Sequence, residues 1–318
     1  MKTVICGLWH VHAGMYYKEA AQHSEILGVW DDDPKRLAAF AEKYSLRAFA
    51  SFDELLASGA DSAVVCTSSD THRDVIVALA DAGIDVFTEK VLALTSAQCD
   101  DIEKAIDRNG VRFVISYPHK YSPLIRAVKA VADSGELGKL NYFRFRNVHD
   151  GASANWLPRH FYDAAQCGGG AMIDLGAHGM YLADWFLGMP QSVASVFTRA
   201  CTNPDANLKN ADRLEDNAVS VLTYPDGAIA LNETGFVSKG CPMTLEVAGE
   251  DGWVRSDNNT VVKRTRASGS AVEVPVGDPL PAPITQFFTG NILPGCGIKE
   301  AKNLTKLMEM AYANVINR

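Results

Sequence analysis

Short apolar runs separated by helical patterns fill the first third of the chain, and this alternation limits its fold more than any other feature. The runs cover 3–6, 26–30, 62–66, 85–88 and 111–117, with helical patterns at 33–44, 71–82 and 96–108 between them. Strands joined through helices pair in parallel by right-handed crossovers. Residues 1–119 are therefore predicted to form a doubly wound parallel sheet. Two helix starts carry capping-box spacing, Ser51-x-x-Glu54 and Thr95-x-x-Gln98.

Beyond a helix at 122–132 the grammar changes. Runs at 140–148, 193–201, 218–224, 228–234, 243–247 and 261–265 read as strands, with Pro225-Asp-Gly227 and Gly249-Glu-Asp-Gly252 as hairpin turns. One long helix, 169–187, interrupts them, and another, 299–316, closes the chain. Residues 120–318 thus read as an α+β domain with a large, open, mostly antiparallel sheet. Alternating apolar positions (Val193, Val196, Val219, Val221, Ile229, Leu231) put apolar surface on both sheet faces. A homodimer or homotetramer formed through that sheet is expected.

Composition excludes several partners. The formal net charge is −8 and no long Lys/Arg run is present, so neither nucleic acid nor an anionic membrane is expected. No apolar run reaches membrane-spanning length, and the N-terminus enters a strand at once without a signal region. The 7 cysteines show no C-x-x-C spacing, and several lie in apolar runs, as reduced buried thiols do. The expected compartment is cytoplasmic.

The loop after the first run reads Cys6-Gly-Leu-Trp-His-Val-His-Ala-Gly14. A glycine at this place, followed by a helix N-terminus, suits a dinucleotide pyrophosphate. Here Trp9 and His12 stand where the second and third glycines of G-x-G-x-x-G would fall. Asp31 ends the second run, roughly 20 residues further on, where a carboxylate accepts from a ribose diol. No arginine follows it immediately, which favours NAD over NADP; Asp33 reads as a helix N-cap. His10-x-His12 is also a metal-site pattern, resembling the start of amidohydrolase barrels, with Asp70 and His72 past the third strand. The strand–helix alternation stops near residue 135, before eight units accumulate, so no metal is expected.

Four further tracts follow in order: Cys66-Thr-Ser-Ser-Asp-Thr-His72, Phe87-Thr-Glu-Lys90, Gly168-Gly-Gly-Ala-Met-Ile-Asp-Leu-Gly-Ala-His178 and Glu215-Asp-Asn-Ala-Val219. Together they resemble the Gfo/Idh/MocA oxidoreductases, NAD(P)-dependent sugar and cyclitol dehydrogenases and reductases, over essentially the whole chain. The resemblance implies a Rossmann domain, then an open-faced sheet domain, with the active site between them and a small polyhydroxylated substrate. It implies cofactor contacts from Gly7, Trp9, His10, Val11, His12 and Asp31, and from Thr67, Ser68 and His72 beside the cofactor. Glu89 and Lys90 match the pair at the nicotinamide end, where the lysine assists catalysis. Asp174 and His178 match the D-x-x-x-H pair that meets substrate hydroxyls. Besides Trp9 and His12, two departures stand out. Val91 follows the lysine where proline is usual, and a cis bond without proline costs about 2.5–4 kcal/mol, so trans is expected. Tyr181 replaces an aspartate often found three residues after the histidine.

Hydride transfer from a carbinol needs a nicotinamide face, a base for the hydroxyl proton and stabilisation of the alkoxide. His178 suits the base, because imidazole titrates near neutrality. Asp174, one helical turn earlier, orients it or binds a neighbouring hydroxyl, and Lys90 polarises the oxygen. Gly176 and Gly179 are expected to let the helix approach the nucleotide domain. Trp156, Arg159, His160 and Tyr162 precede the triple glycine as a candidate substrate wall, with His119 and Lys120 as further contacts. Two other readings stay open here: an NAD-dependent glycosidase working by transient oxidation and elimination, and a catalytically silent NAD(H) sensor.

Overall fold

A computed structural model describes residues 1–203, 214–257 and 259–317. The chain divides into two compact units, Met1–Ser116 with Pro281–Thr305, and Tyr117–Leu280 with Lys306–Arg318.

The first unit runs β1 (Lys2–Cys6), α1 (Ala13–Ala20), β2 (Glu25–Trp30), α2 (Pro34–Tyr44), α3 (Phe52–Leu56), β3 (Ser62–Val65), α4 (His72–Asp81), β4 (Asp85–Thr88), α5 (Ser96–Asn109) and β5 (Phe113–Ile115). All neighbouring pairs are parallel, in the order β2-β1-β3-β4-β5. The central strand β3 is buried along its length, as a strand covered on both faces must be. Local chemistry sets the helix ends. Thr95 and Gln98 complete a capping box at α5, which stops at Gly110 in the left-handed region. Asp33 caps α2 by accepting the Lys35 and Arg36 N–H groups at 2.8 and 3.3 Å. At α3 only half the box forms, because Glu54 accepts from Ala50 N–H instead of the cap's own.

The second unit begins with α6 (Pro123–Asp133), β6 (Leu140–Val148), α7 (Ala164–Cys167), α8 (Ala171–Asp174) and α9 (Gly176–Leu187). Then follow β7 (Ser192–Thr198), β8 (Asn217–Thr223), β9 (Ile229–Gly235), β10 (Thr244–Gly249), β11 (Gly252–Asp257), β12 (Thr260–Thr265) and β13 (Val272–Glu273). Among the described residues they form an eight-stranded sheet, β13-β12-β11-β10-β6-β9-β8-β7, antiparallel except where β6 meets β9. Strand β11 escapes a sequence reading because Val254 is its one buried aliphatic residue, set between Trp253 and Arg255.

The long helix expected over 169–187 is broken. His178 N–H bonds back three residues to Leu175, and the Asn232 side-chain amide of β9 takes the Gly176 carbonyl at 2.7 Å. The glycines beside His178 serve this contact. A Cβ on Gly179 would lie 2.0 Å from Asn232 Oδ1, and one on Gly176 would lie 2.5 Å from Met172 Sδ. They bring the helix onto its own sheet, which corrects the expectation that they face the nucleotide domain.

A single break near residue 119 is also corrected. After β13 come α10 (Pro283–Thr289) and α11 (Ile298–Ala313), and Pro281–Thr305 belongs to the first unit. The reason is the open edge of β5, whose N–H groups need acceptors. Ile115 N–H donates to Cys296 O at 2.9 Å, and the Arg112 guanidinium donates to Phe287 O at 2.8 Å.

The helix–sheet contact is testable through Gly179. Gly179→Ala should destabilise the protein by about 1–3 kcal/mol, the usual range for overpacking. Gly277→Ala, where a Cβ would meet nothing within 4 Å, should leave the denaturation midpoint unchanged. Equal midpoints for the two variants would show that the close approach is not required.

Candidate functional site

In the first unit the candidate residues gather at the carboxyl ends of β1, β3 and β4. Gly7 adopts φ +87, and a Cβ there would fall 2.4 Å from Thr67 Cγ2, so only glycine fits this turn. Three backbone donors pin the loop: Gly7 N–H to Trp30 O at 2.8 Å, Leu8 N–H to Asp31 Oδ2 at 2.5 Å, and His10 N–H to Cys66 O at 3.1 Å. Trp9 turns inward and is buried, whereas Val11 is exposed.

Asp31, the expected ribose acceptor, is buried, and besides Leu8 N–H it accepts Asp33 N–H at 2.8 Å and the Arg36 guanidinium at 2.8–3.0 Å. Burial pushes its carboxyl up, while these donors pull the other way. Arg36 sits in the first turn of α2, and its guanidinium also reaches Asp32 and Asp33. A helical turn, invisible to a search for an immediately following arginine, brings it there.

His72 lies inside the unit at 1% exposure. Its Nδ1 faces the Val91 and Leu92 carbonyls at 3.0 and 3.2 Å, and its Nε2 faces the Thr67 carbonyl at 3.2 Å. Burial lowers its pKa, and its ring stands between the segments after β3 and β4, donating to one of them when neutral. The Lys90–Val91 bond just before these carbonyls is cis where trans was expected. Val91 and Leu92 are buried, and their carbonyls are those that His72 grips. Beside this segment Thr67 Oγ1 and Asp70 Oδ1 are buried without a hydrogen-bond partner among the described residues. Ser68 is buried too, its carbonyl accepting from the Thr71 hydroxyl at 2.9 Å. A glycine-only turn flanked by an unsatisfied hydroxyl fits a dinucleotide lying over these strand ends.

Glu89 is the centre of this half. It is 2% exposed, and its Oε1 meets His12 Nδ1 at 2.7 Å, His10 Nδ1 at 3.6 Å and the Tyr16 hydroxyl. Its Oε2 accepts Lys90 N–H at 3.0 Å. Burial would raise its pKa, but His10, His12 and Lys90 hold it well below the usual carboxylate range. Tyr16, absent from the sequence reading, sits one helical turn after His12, and that spacing was its signal.

In the second unit the helices bearing Asp174 and His178 are held from their start. Glu215, nearly buried, accepts Gly170 N–H at 2.9 Å, Met172 N–H at 3.2 Å and the Tyr312 hydroxyl at 2.5 Å. The triple glycine permits this: a Cβ on Gly170 would lie 2.0 Å from Glu215 O, and one on Gly169 would lie 1.9 Å from the Tyr312 hydroxyl. His178 Nδ1 and the Tyr181 hydroxyl are 3.0 Å apart, and that hydroxyl accepts His119 N–H at 3.2 Å. The rings of His119 and His178 meet edge-on at 4.4 Å, while Tyr181 stacks on Tyr117 at 4.2 Å. Lys120 is buried against the rings of Tyr117 and Trp185 at 5.2 and 5.5 Å. His119, His178 and Tyr181 therefore form one cluster, with Lys120 behind it.

The remaining candidates form a separate group. Trp156 is exposed, donates from Nε1 to Asp150 at 2.9 Å, and lies 4.7 Å from the ring of His149. His149 stacks on Phe236, which Tyr162 meets edge-on. Arg159 is exposed. His149 was missed because no motif contains it.

Residues 1–117 match the family described as "Oxidoreductase family, NAD-binding Rossmann fold", and residues 125–255 match the "GFO/IDH/MocA C-terminal domain". Among curated relatives, YteT of Bacillus subtilis is 28% identical over 64% of this chain and 50% of its own length. The scyllo-inositol 2-dehydrogenase (NAD(+)) of the same organism is 25% identical over 73% of this chain and 61% of its own length. The chain thus spans half to three-fifths of these two relatives. A solved oxidoreductase from Agrobacterium radiobacter, in complex with NAD+, L-tartaric acid and magnesium, superposes with a TM-score of 0.83. It is 18% identical, covering 100% of this chain and 96% of that one.

Proposed function

The chain belongs to the Gfo/Idh/MocA family, and from that premise we propose that it transfers a hydride between NAD(H) and a carbinol or ketone of a sugar, sugar derivative or cyclitol. The observation that carries this reading is the clamped histidine: His178 Nδ1 is engaged by the Tyr181 hydroxyl on a helix anchored at Glu215. An imidazole fixed through Nδ1 exchanges its proton at Nε2, as a positioned general base does. Bound NAD(H) supplies the hydride acceptor or donor. His178 takes the hydroxyl proton on oxidation and returns it on reduction. Lys90 is the cation proposed to stabilise the developing negative charge. Asp174 binds a neighbouring hydroxyl, which suits a polyol better than an isolated alcohol. The inositol dehydrogenase among the relatives supports that substrate class. The seven cysteines, six of them buried and none in C-x-x-C spacing, favour a reducing, cytoplasmic setting.

The test is a panel of inositols, sugars and their keto forms followed by nicotinamide absorbance. With a substrate in hand, Lys90→Ala and His178→Ala should each lower turnover by about two to four powers of ten. NADH affinity should stay within a few-fold in His178→Ala. Near-normal turnover in that variant would remove His178 from the reaction.

Cofactor choice rests on Asp31 together with Arg36. Asp31 neutralises the guanidinium that would otherwise welcome a 2′-phosphate, so wild type should prefer NADH. Asp31→Ser should free Arg36 and narrow the gap, as read by titrating NADH and NADPH into both proteins. Tighter NADPH binding by wild type would contradict this.

We also propose self-association through the second unit's sheet. Val196, Val219 and Ile229 are exposed on one face, with Val221 and Leu231 half-buried beside them, while Val193 turns to the covered face. Light scattering at micromolar concentration should show a dimer or tetramer, and Val219→Lys should dissociate it. A wild-type monomer would contradict the proposal.

A further inference from the structure

The His10-x-His12 pattern, set aside in sequence because the strand–helix alternation stops short of a barrel, acquires a third candidate ligand in the fold. Glu89 arrives from the end of β4, and one donor atom from each of the three residues lies within 4.8 Å of the others. We propose that His10 Nδ1, His12 Nδ1 and Glu89 bind a divalent transition metal of the zinc type.

The donor set carries the choice of ion. Two imidazoles and one carboxylate form a three-ligand zinc set, with the fourth position left to water. Magnesium and calcium prefer all-oxygen surroundings and fit this set poorly. Ligands about 2.1 Å from a tetrahedral zinc stand about 3.4 Å from one another. His10 Nδ1 already stands 3.6 Å from Glu89 Oε1, and the 2.7 Å His12–Glu89 pair need open by only roughly 0.7 Å to reach that separation.

His10 Nδ1 lies 3.3 Å from the His12 backbone N and 3.6 Å from Glu89 Oε1, so its one lone pair would exchange that long hydrogen bond for the ion. The carboxylate is buried and His10 is 6% exposed, while His12 at 37% gives an ion its way in.

Supporting groups are in place. The Tyr16 hydroxyl donates to Glu89 Oε1 and is itself 2.7 Å from Ser116 Oγ, and Lys90 N–H donates to Oε2. Hydrogen bonds of this kind orient a ligating carboxylate and keep it ionised. Tyr16 is therefore a positioning residue for the proposed site.

The test uses the full chain stripped with chelator and then titrated with Zn2+ alone by calorimetry, with metal content measured after dialysis. Co2+ substitution adds a visible-band signature of low-symmetry coordination. One equivalent of Zn2+ should bind, and His10→Asn and His12→Asn should each abolish the binding. Tyr16→Phe should weaken it about 10–100-fold, as loss of a group that orients a ligand does. Failure of the wild-type chain to retain stoichiometric Zn2+ would overturn the proposal. So would wild-type affinity in either histidine variant. NADH titration into the metal-free wild-type chain is a separate measurement, so failure of Zn2+ to bind would leave the cofactor reading standing.

Discussion

A carboxylate taken almost wholly out of water has to be answered by neighbours, because the uncompensated charge costs several kcal/mol. Glu89 is such a group, and the answers come from three directions: His12 in the first loop, Tyr16 in α1 and the Lys90 backbone. One charge thus fixes where the loop crosses the sheet, how the first helix leaves it, and where the lysine chain begins. Moving Glu89 would leave each of these donors searching for another partner. The preference of a parallel sheet for ligands at its strand ends is here tied to a single side chain.

The second unit solves a related problem with Glu215. Two short helices that change hydrogen-bond spacing at His178 would fray if their first N–H groups met nothing. Glu215 meets two of them, Tyr312 supports Glu215, and the Asn232 amide catches the Gly176 carbonyl at the break. Glycines at 169, 170, 176 and 179 make room for these partners. Asp174 and His178 are therefore held by an array that is mostly polar, and their placement depends on hydrogen bonds as much as on apolar packing.

Much of the architecture was legible because it is local. Periodicity located all five parallel strands, and cap chemistry located the starts of α2, α3 and α5. What escaped depends on residues far apart in sequence. The glycines beside His178 announce a close approach but not its partner, which is Asn232 on a strand some fifty residues later. Asp31 announces an acceptor but not that Leu8 and Arg36 already use it. The Lys90–Val91 bond is cis where a non-proline residue predicts trans, and the His72 ring from α4 faces the carbonyls that follow it. The H-x-H pattern lacked a third ligand in sequence because Glu89 joins it only through strand order.

The return of Pro281–Thr305 to the first unit has a bearing on biosynthesis. β5 is the outer strand of its sheet, and Cys296, near the far end of the chain, accepts its Ile115 N–H. Phe287, from the same late segment, packs its ring on Phe87. At elongation rates of about 5–20 residues per second, the nascent sheet waits roughly 10–40 s before that cover emerges. Throughout that interval the edge is a template for intermolecular strand pairing, with aromatic surface beside it. Holdase chaperones that shield such a surface would raise the yield of native protein, and slow translation would lengthen the hazard.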